Sequence, residues 1–167
     1  MYKVVTLSYN QNMTNDTHIN TDESQYEKAP RAGLIPFIRS ERGIEYLMMI
    51  ASDPKFGGPR PMISKGKIED GETQKQAALR EAEEELGFNP LNTRGEVIDL
   101  ADERVELRTG AYQLTLYAVE IADRHDFSMW CDETEYTQWF TLEEFQEQGR
   151  RDHVKFVERL HQIVRTT

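Results

Sequence analysis

The residues best suited to chemistry lie in one stretch, GKIEDGETQKQAALREAEEELGF, from Gly66 to Phe88. Glu81, Glu84 and Glu85 stand at i, i+3 and i+4, which on a helix project from one face. Like charges so placed oppose the helix by roughly 0.2–0.5 kcal/mol per pair, so something must offset them. Hard divalent cations such as Mg²⁺ or Mn²⁺ take carboxylate oxygens and would do so. Taken alone, the same spacing also describes a solvated acidic helix face.

The element that must carry these glutamates is well specified. Thr73 to Leu86 lacks Gly and Pro and is dense in Ala, Glu, Gln and Leu, which predicts a helix. Thr73 can cap it, with Gln76 in capping-box position, and Gly87 stands where a C-cap glycine belongs. Leu79, Ala82 and Leu86 share a second, apolar face suited to a sheet.

Upstream, 3–9 (KVVTLSY) reads as a strand and the polar segment 10–28 as a loop or flexible arm. The strand at 32–39 contains Pro36, which cannot donate to a ladder and predicts an edge position or a bulge. Arg42-Gly43 makes a turn into a second hairpin strand at 44–51. A breaker-rich loop at 53–61, a short strand Met62 to Ser64 and a loop from Gly66 to Gly71 lead to the helix.

Downstream, strands are expected at 95–100, 103–107, 110–121 and 136–141, with a polar loop over 123–135. A helix starts near Leu142. Another covers 151–165, with Val154, Val157, Leu160 and Val164 as a stripe and Phe156 and Ile163 beside it. Strands, a helix, more strands and then helices, in one domain over 1–167, place the chain in the α+β class or an α/β/α sandwich.

Thirty acidic against 20 basic residues give a net charge of −10, which argues against broad nucleic-acid binding. A small polyanion held at one metal site remains compatible with that charge. The single cysteine, Cys131, excludes an internal disulfide, and no Cys/His spacing fits zinc. His153 and His161, on the last helix, read as surface histidines. The longest apolar run, Tyr46 to Ala51, is too short to span a membrane, and no secretory pattern opens the chain. A cytoplasmic enzyme is the expectation.

The surroundings of the three glutamates decide between a metal site and a solvated face. The segment resembles the Nudix box, G-x5-E-x7-R-E-U-x-E-E-x-G-U, where U is bulky and apolar. Gly66, Glu72, Arg80, Glu81, Glu84, Glu85, Gly87 and Phe88 match, and Ala82 is smaller than usual at the first U. Chance agreement at the fixed positions is on the order of one in 10⁸ per window. The resemblance implies a Nudix α/β/α sandwich with a mixed β-sheet and metal-dependent hydrolysis of a pyrophosphate.

By the same resemblance, Glu81, Glu84 and Glu85 bind Mg²⁺ or Mn²⁺, with the Gly66 carbonyl a further ligand. Glu72 and Arg80 tie the loop to the helix, and Gly66 and Gly87 serve the backbone. The metals would neutralise and position the pyrophosphate and acidify a water. Glu84, Glu85 or a loop glutamate would take the proton of that water, which attacks phosphorus in line.

Two further stretches narrow the resemblance. Ser64 to Ile68 (SKGKI) is similar to the P-K-G-K/H-I/L start of dinucleoside tetraphosphate hydrolases and decapping enzymes, with serine in place of proline. Lys65 and Lys67 would then contact non-transferred phosphates. DETEYTQWF at 132–140 resembles a strand of asymmetric dinucleoside tetraphosphatases whose glutamate, here Glu133, helps bind a metal; Asp132 replaces the histidine of that pattern, and Glu135 is the alternative acid.

Trp139 reads as a core residue. Tyr112, Tyr117, Tyr136 and Phe56 are candidates for stacking on a base. The expected substrate is a small nucleotide such as a dinucleoside polyphosphate. An RNA 5′ end (cap or triphosphate) or an ADP-ribose or NAD-type compound is the alternative. A catalytically inactive binding module is a different class, disfavoured because every box carboxylate is kept. The sequence leaves the oligomeric state open.

Overall fold

A computed structural model describes residues 27–56, 58–127 and 131–167. Six strands form one sheet: β1 (Arg31–Ser40), β2 (Gly43–Ala51), β3 (Ser64–Lys67), β4 (Thr93–Leu107), β5 (Gly110–Ile121) and β6 (Thr134–Thr141). Three helices flank it: α1 (Gln74–Leu86), α2 (Leu142–Gln148) and α3 (Arg151–Val164). The strand order is β4-β5-β1-β2-β6, with β3 added to β1. The β1–β5 pair is parallel and the others antiparallel, so the sheet is mixed.

Side-chain alternation along the strands builds two cores, as a pleated sheet covered on both faces requires. Ile35 and Phe37 of β1, Tyr46 and Met48 of β2, and Leu114 and Leu116 of β5 pack with Phe145 of α2 and Phe156, Val157 and Leu160 of α3. The intervening residues Ala32, Leu34, Leu47, Met49 and Val119 pack with Ala77, Ala78, Ala82 and Leu86 of α1. Helices on both faces make this the α/β/α sandwich expected of the resemblance.

The helix carrying the acidic segment forms as its sequence predicts. The Thr73 hydroxyl accepts from the Gln76 N–H and the Gln76 side chain accepts from the Thr73 N–H. Gly87 ends the helix at φ 68°, in the left-handed region that favours glycine. Three alanines on its buried face let the backbone lie close to the sheet.

Several expectations are corrected. Pro36 is not on an edge: β1 is interior, paired with β5 on one side and with β3 and β2 on the other. The proline is accommodated because β1 changes partner there, pairing with β3 over Arg31–Leu34 and with β2 over Phe37–Ser40. The short strand near 62 is shifted, since β3 starts at Ser64 and takes in Gly66 and Lys67, which were expected in a loop. The pieces at 95–100 and 103–107 are one strand with irregular register near Ile98 and Ala101.

On α3, Ile163, beside the stripe, is exposed, and His153 is buried, the reverse of the surface position expected of it. Its Nδ1 accepts from the Ile63 N–H at 3.1 Å, and burial, with Lys65 nearby, holds its pKa well below the ordinary value. His161 is also engaged, 2.8 Å from the Tyr46 hydroxyl. The strand expected at 3–9, and all of the arm before Glu27, lie outside the described residues; Lys28 is tied to the start of β5 by its N–H to the Ala111 carbonyl. Among the described residues, no helix is long and apolar enough to cross a membrane.

Leu86 is fully buried under the sheet, whereas Leu91, just past the helix, is 92% exposed. Leu86→Ala is expected to destabilise the protein by about 2–5 kcal/mol and Leu91→Ala by less than about 0.5 kcal/mol, as read by urea denaturation.

Candidate active site

A cleft of about 760 Å³ opens where the C-terminal half of α1, strand β3, the first residue of β1 and the loop before β6 meet. Its acidic wall is Glu81, Glu84 and Glu85 of α1, and Lys65, Gly66 and Lys67 of β3 line the adjoining side. Glu133 and Asp132 contribute from the loop. All the candidate metal ligands, bases and phosphate-binding lysines of the sequence except Glu135 thus come to one cavity, and Glu72 stands behind it on Arg80. Glu135 lies further along β6, exposed and outside the lining.

The end of α1 holds the loop in place. The last carbonyls of a helix have no partner within it and must find one elsewhere. Here Ala82 and Glu83 are satisfied by the Phe88 and Gly87 N–H groups, Glu84 by the Cys131 N–H at 2.8 Å, and Glu85 by the Thr134 hydroxyl at 2.7 Å. On its other side the loop is held by Ser52, whose N–H donates to the Glu133 carbonyl and whose hydroxyl donates to that of Asp132. Glu133 therefore faces the α1 carboxylates from an anchored backbone.

Arg80 organises the acidic wall. Its Nε and Nη2 grip both Glu72 oxygens at 2.7 and 3.1 Å, and Nη2 also donates to the Lys67 carbonyl. Nη1 donates to Glu81 at 2.8 Å and reaches Glu84 at 3.3 Å. Glu72 in turn accepts from the Glu69 N–H, which fixes the loop before the helix. The bond to Arg80 keeps the Glu72 carboxyl below the usual carboxylate range, and Glu72 in return raises the pKa of the guanidinium.

The three glutamates share a face but not an environment. Glu84 is half exposed, Glu81 mostly covered, and Glu85 buried. Glu85 turns inward and accepts from the Lys65 N–H at 2.9 Å. Burial, reinforced by the negative charge of Glu81, pushes its carboxyl up to about 7. Burial also raises Glu81, with Glu84 and Glu133 adding like charge. Lys65 is 9% exposed, and burial, then the positive charge of Arg150, lowers its pKa.

Gly66 explains why β3 and α1 can be so close. A Cβ placed there would overlap the Glu81 carboxylate. Among the described residues, no three acidic, histidine or cysteine side chains converge in the geometry of a metal site as they stand, since Arg80 and the Lys65 N–H engage the α1 carboxylates. The donors nonetheless fit a divalent cation in kind. They are hard oxygens, one guanidinium is shared among three carboxylates, and two carboxyls have pKa values raised by burial and by neighbouring carboxylates.

Of the aromatic candidates, Phe56 lines the cleft and is 64% exposed; Tyr112 and Tyr117 are buried, and Tyr136 is exposed outside the lining. Trp139 packs edge-on to Phe127 and against the α1-side core, as a core residue does. Arg31 was missed. It lines the cleft with its guanidinium 5.2 Å from the centre of the Tyr112 ring. Its sequence position, one residue before the expected strand, carried no signal, because only the β1–β3 pairing brings it to the site.

The family model for the NUDIX domain matches residues 28–160. The chain belongs to the NUDIX domain family. Membership makes it a Nudix pyrophosphohydrolase. A C. elegans Ap4A hydrolase solved as a binary complex is similar in structure, with a TM-score of 0.70 at 18% identity over 84% of this chain and 100% of that one. So is the NUDIX domain of Shewanella oneidensis NrtR complexed with ADP ribose, with a TM-score of 0.69 at 15% identity over 84% of this chain and 89% of that one. The M. smegmatis Nudix hydrolase RenU gives a TM-score of 0.66 at 17% identity over 84% and 88%. At such identities these structures establish the Nudix fold. No curated protein matches the sequence.

The raised Glu85 carboxyl has a consequence for stability. A group whose folded pKa lies above its unfolded value of 4.5 stabilises the fold at low pH, and that contribution is lost as pH rises towards about 7. With a chelator present, the wild type should lose about 2–3 kcal/mol relative to Glu85→Gln between pH 4.5 and 8. Urea denaturation across that range checks it; parallel curves for the two proteins would exclude a buried, neutral Glu85.

Proposed function

We propose that this Nudix enzyme uses Mg²⁺ or Mn²⁺ to hydrolyse the pyrophosphate linkage of nucleoside diphosphate-linked compounds, dinucleoside polyphosphates such as Ap4A foremost. The observation that carries the reading is the pairing, in one cleft, of the α1 carboxylates with Lys65, Lys67 and the Gly66 backbone. Carboxylates suit a cation, and ammonium groups suit the phosphates that are not transferred.

Glu81, Glu84 and Glu85, with the Gly66 carbonyl, would hold the metal. When bound, the ion would neutralise charge on the pyrophosphate and acidify a water. Glu84, Glu85 or Glu133 takes a proton from the attacking water as its oxygen bonds to phosphorus. The bridging P–O bond breaks and the departing phosphate keeps the bond's electrons. Catalysis is then mostly positioning and charge stabilisation. Glu72 and Arg80 act indirectly, by setting the loop and two of the glutamates. Phe56 offers the exposed aromatic face on which a base could stack.

A second reading, ADP-ribose as substrate, is favoured by the likeness to the NrtR domain, which was solved with ADP ribose. An RNA 5′ end is less suited to a chain of net charge −10.

A panel of Ap4A, Ap3A, ADP-ribose, NADH, dNTPs and capped RNA, with products identified, separates these readings. Ap4A is expected to give the highest kcat/KM, and chelation to abolish turnover of every compound. Glu84→Gln should lower kcat by roughly 10²–10⁴-fold with the melting temperature unchanged. Full turnover by that variant, or in excess chelator, would contradict the mechanism.

A further inference from the structure

The cations of the cleft are arranged in a way that cleavage of a bare diphosphate does not require. In the β1–β3 ladder, Arg31 stands directly opposite Lys67, and Gly33 opposite Lys65. Opposed residues of an antiparallel pair point to the same face, as do residues two apart on a strand. Arg31, Lys65 and Lys67 therefore share one face of the sheet. Ala32 and Gly66, the intervening pair, lie on the other, where α1 brings Glu81 against Gly66. The cleft is thus divided, with carboxylates supplied from the α1 face and three cations from the opposite face.

Like charges directly opposed across a ladder are destabilising. No salt bridge neutralises them: among the described residues, the Arg31 guanidinium has no hydrogen-bond or ion-pair partner, and its buried Nε is unsatisfied. Lys65 is more than nine-tenths buried, lines the cleft, and likewise has no ion-pair partner for its ammonium among the described residues. Meanwhile Tyr112, itself buried, lies beneath the guanidinium and holds it in place by a cation–π contact. A guanidinium so held, half-buried and with free donors, is suited to bidentate binding of phosphate oxygens.

We propose that Arg31, opposed to Lys67 and seated on Tyr112, is a specificity-determining residue that binds a phosphate beyond the pyrophosphate being cleaved. The enzyme then favours chains of three or more phosphates over diphosphates. This rests on the reading of the cleft as a pyrophosphohydrolase site and narrows its substrate class: tri- and tetraphosphate compounds fit the three cations, whereas ADP-ribose leaves Arg31 without a partner.

The test compares inorganic tripolyphosphate with inorganic pyrophosphate, measured by calorimetry with Mg²⁺ present, on the wild type, Arg31→Gln and Arg31→Lys. The wild type should bind tripolyphosphate more tightly. Arg31→Gln should reduce that preference by roughly tenfold or more, and Arg31→Lys should restore part of it. For cleaved substrates, Arg31→Gln should raise KM for Ap4A more than it lowers kcat. Because Arg31 faces a like charge and, among the described residues, has no hydrogen-bond or ion-pair partner, its removal should not lower the melting temperature. An unchanged preference in Arg31→Gln overturns the proposal, as does equal weakening of both ligands with a lower melting temperature. If the preference shifts as expected but no pyrophosphate compound is cleaved, the subsite stands and the hydrolase reading fails instead.

Discussion

The site depends on how closely α1 lies against the strand pair β1–β3. That approach is possible because the helix buries Ala77, Ala78 and Ala82 there, and because Gly66 leaves room for the Glu81 carboxylate. A larger side chain at any of these points would lift the helix or displace the carboxylate. The close contact has an electrostatic cost, since it brings three carboxylates together and buries one of them. Arg80 offsets part of that cost and the Lys65 N–H another part. The remaining negative charge suits the wall to a cation.

From this contact the rest of the cleft follows. The last carbonyls of α1, left open by helix geometry, are taken up by Cys131 and Thr134, which positions Glu133 opposite the helix. The Glu72–Arg80 pair, with the bond from Arg80 to the Lys67 carbonyl, ties the segment between β3 and α1 to the helix that carries the glutamates. The sheet separates the charges, with cations and carboxylates arriving from opposite faces and meeting only at the strand ends. A polyanion with a metal ion complements such a surface better than a neutral ligand does.

Much of this was legible in the sequence, for local reasons. The α1 helix, its capping box and its terminal glycine are written in contiguous residues, and so is the spacing that aligns Glu81, Glu84 and Glu85. The pairing of Arg80 with Glu72 was implied by the family pattern. What could not be read depends on contacts distant along the chain. Pro36 is tolerated in an interior strand only because two different partners meet beside it, and no local rule reports that. His153 is buried because α3 packs over Ile63, and Arg31 enters the site because β1 pairs with β3. That Glu133, already preferred on the resemblance, lines the cleft while Glu135 does not follows from the anchoring of a loop to a helix end.

The central claim is that the α1 carboxylates form a divalent-cation site. Mn²⁺ binding followed by electron paramagnetic resonance, on the wild type and on Glu81→Gln, tests it without reference to any substrate. The wild type should bind Mn²⁺ in competition with Mg²⁺, and Glu81→Gln should bind it at least about tenfold more weakly while remaining folded. Equal affinity in the two proteins, or no Mn²⁺ binding by the folded wild type, would contradict it.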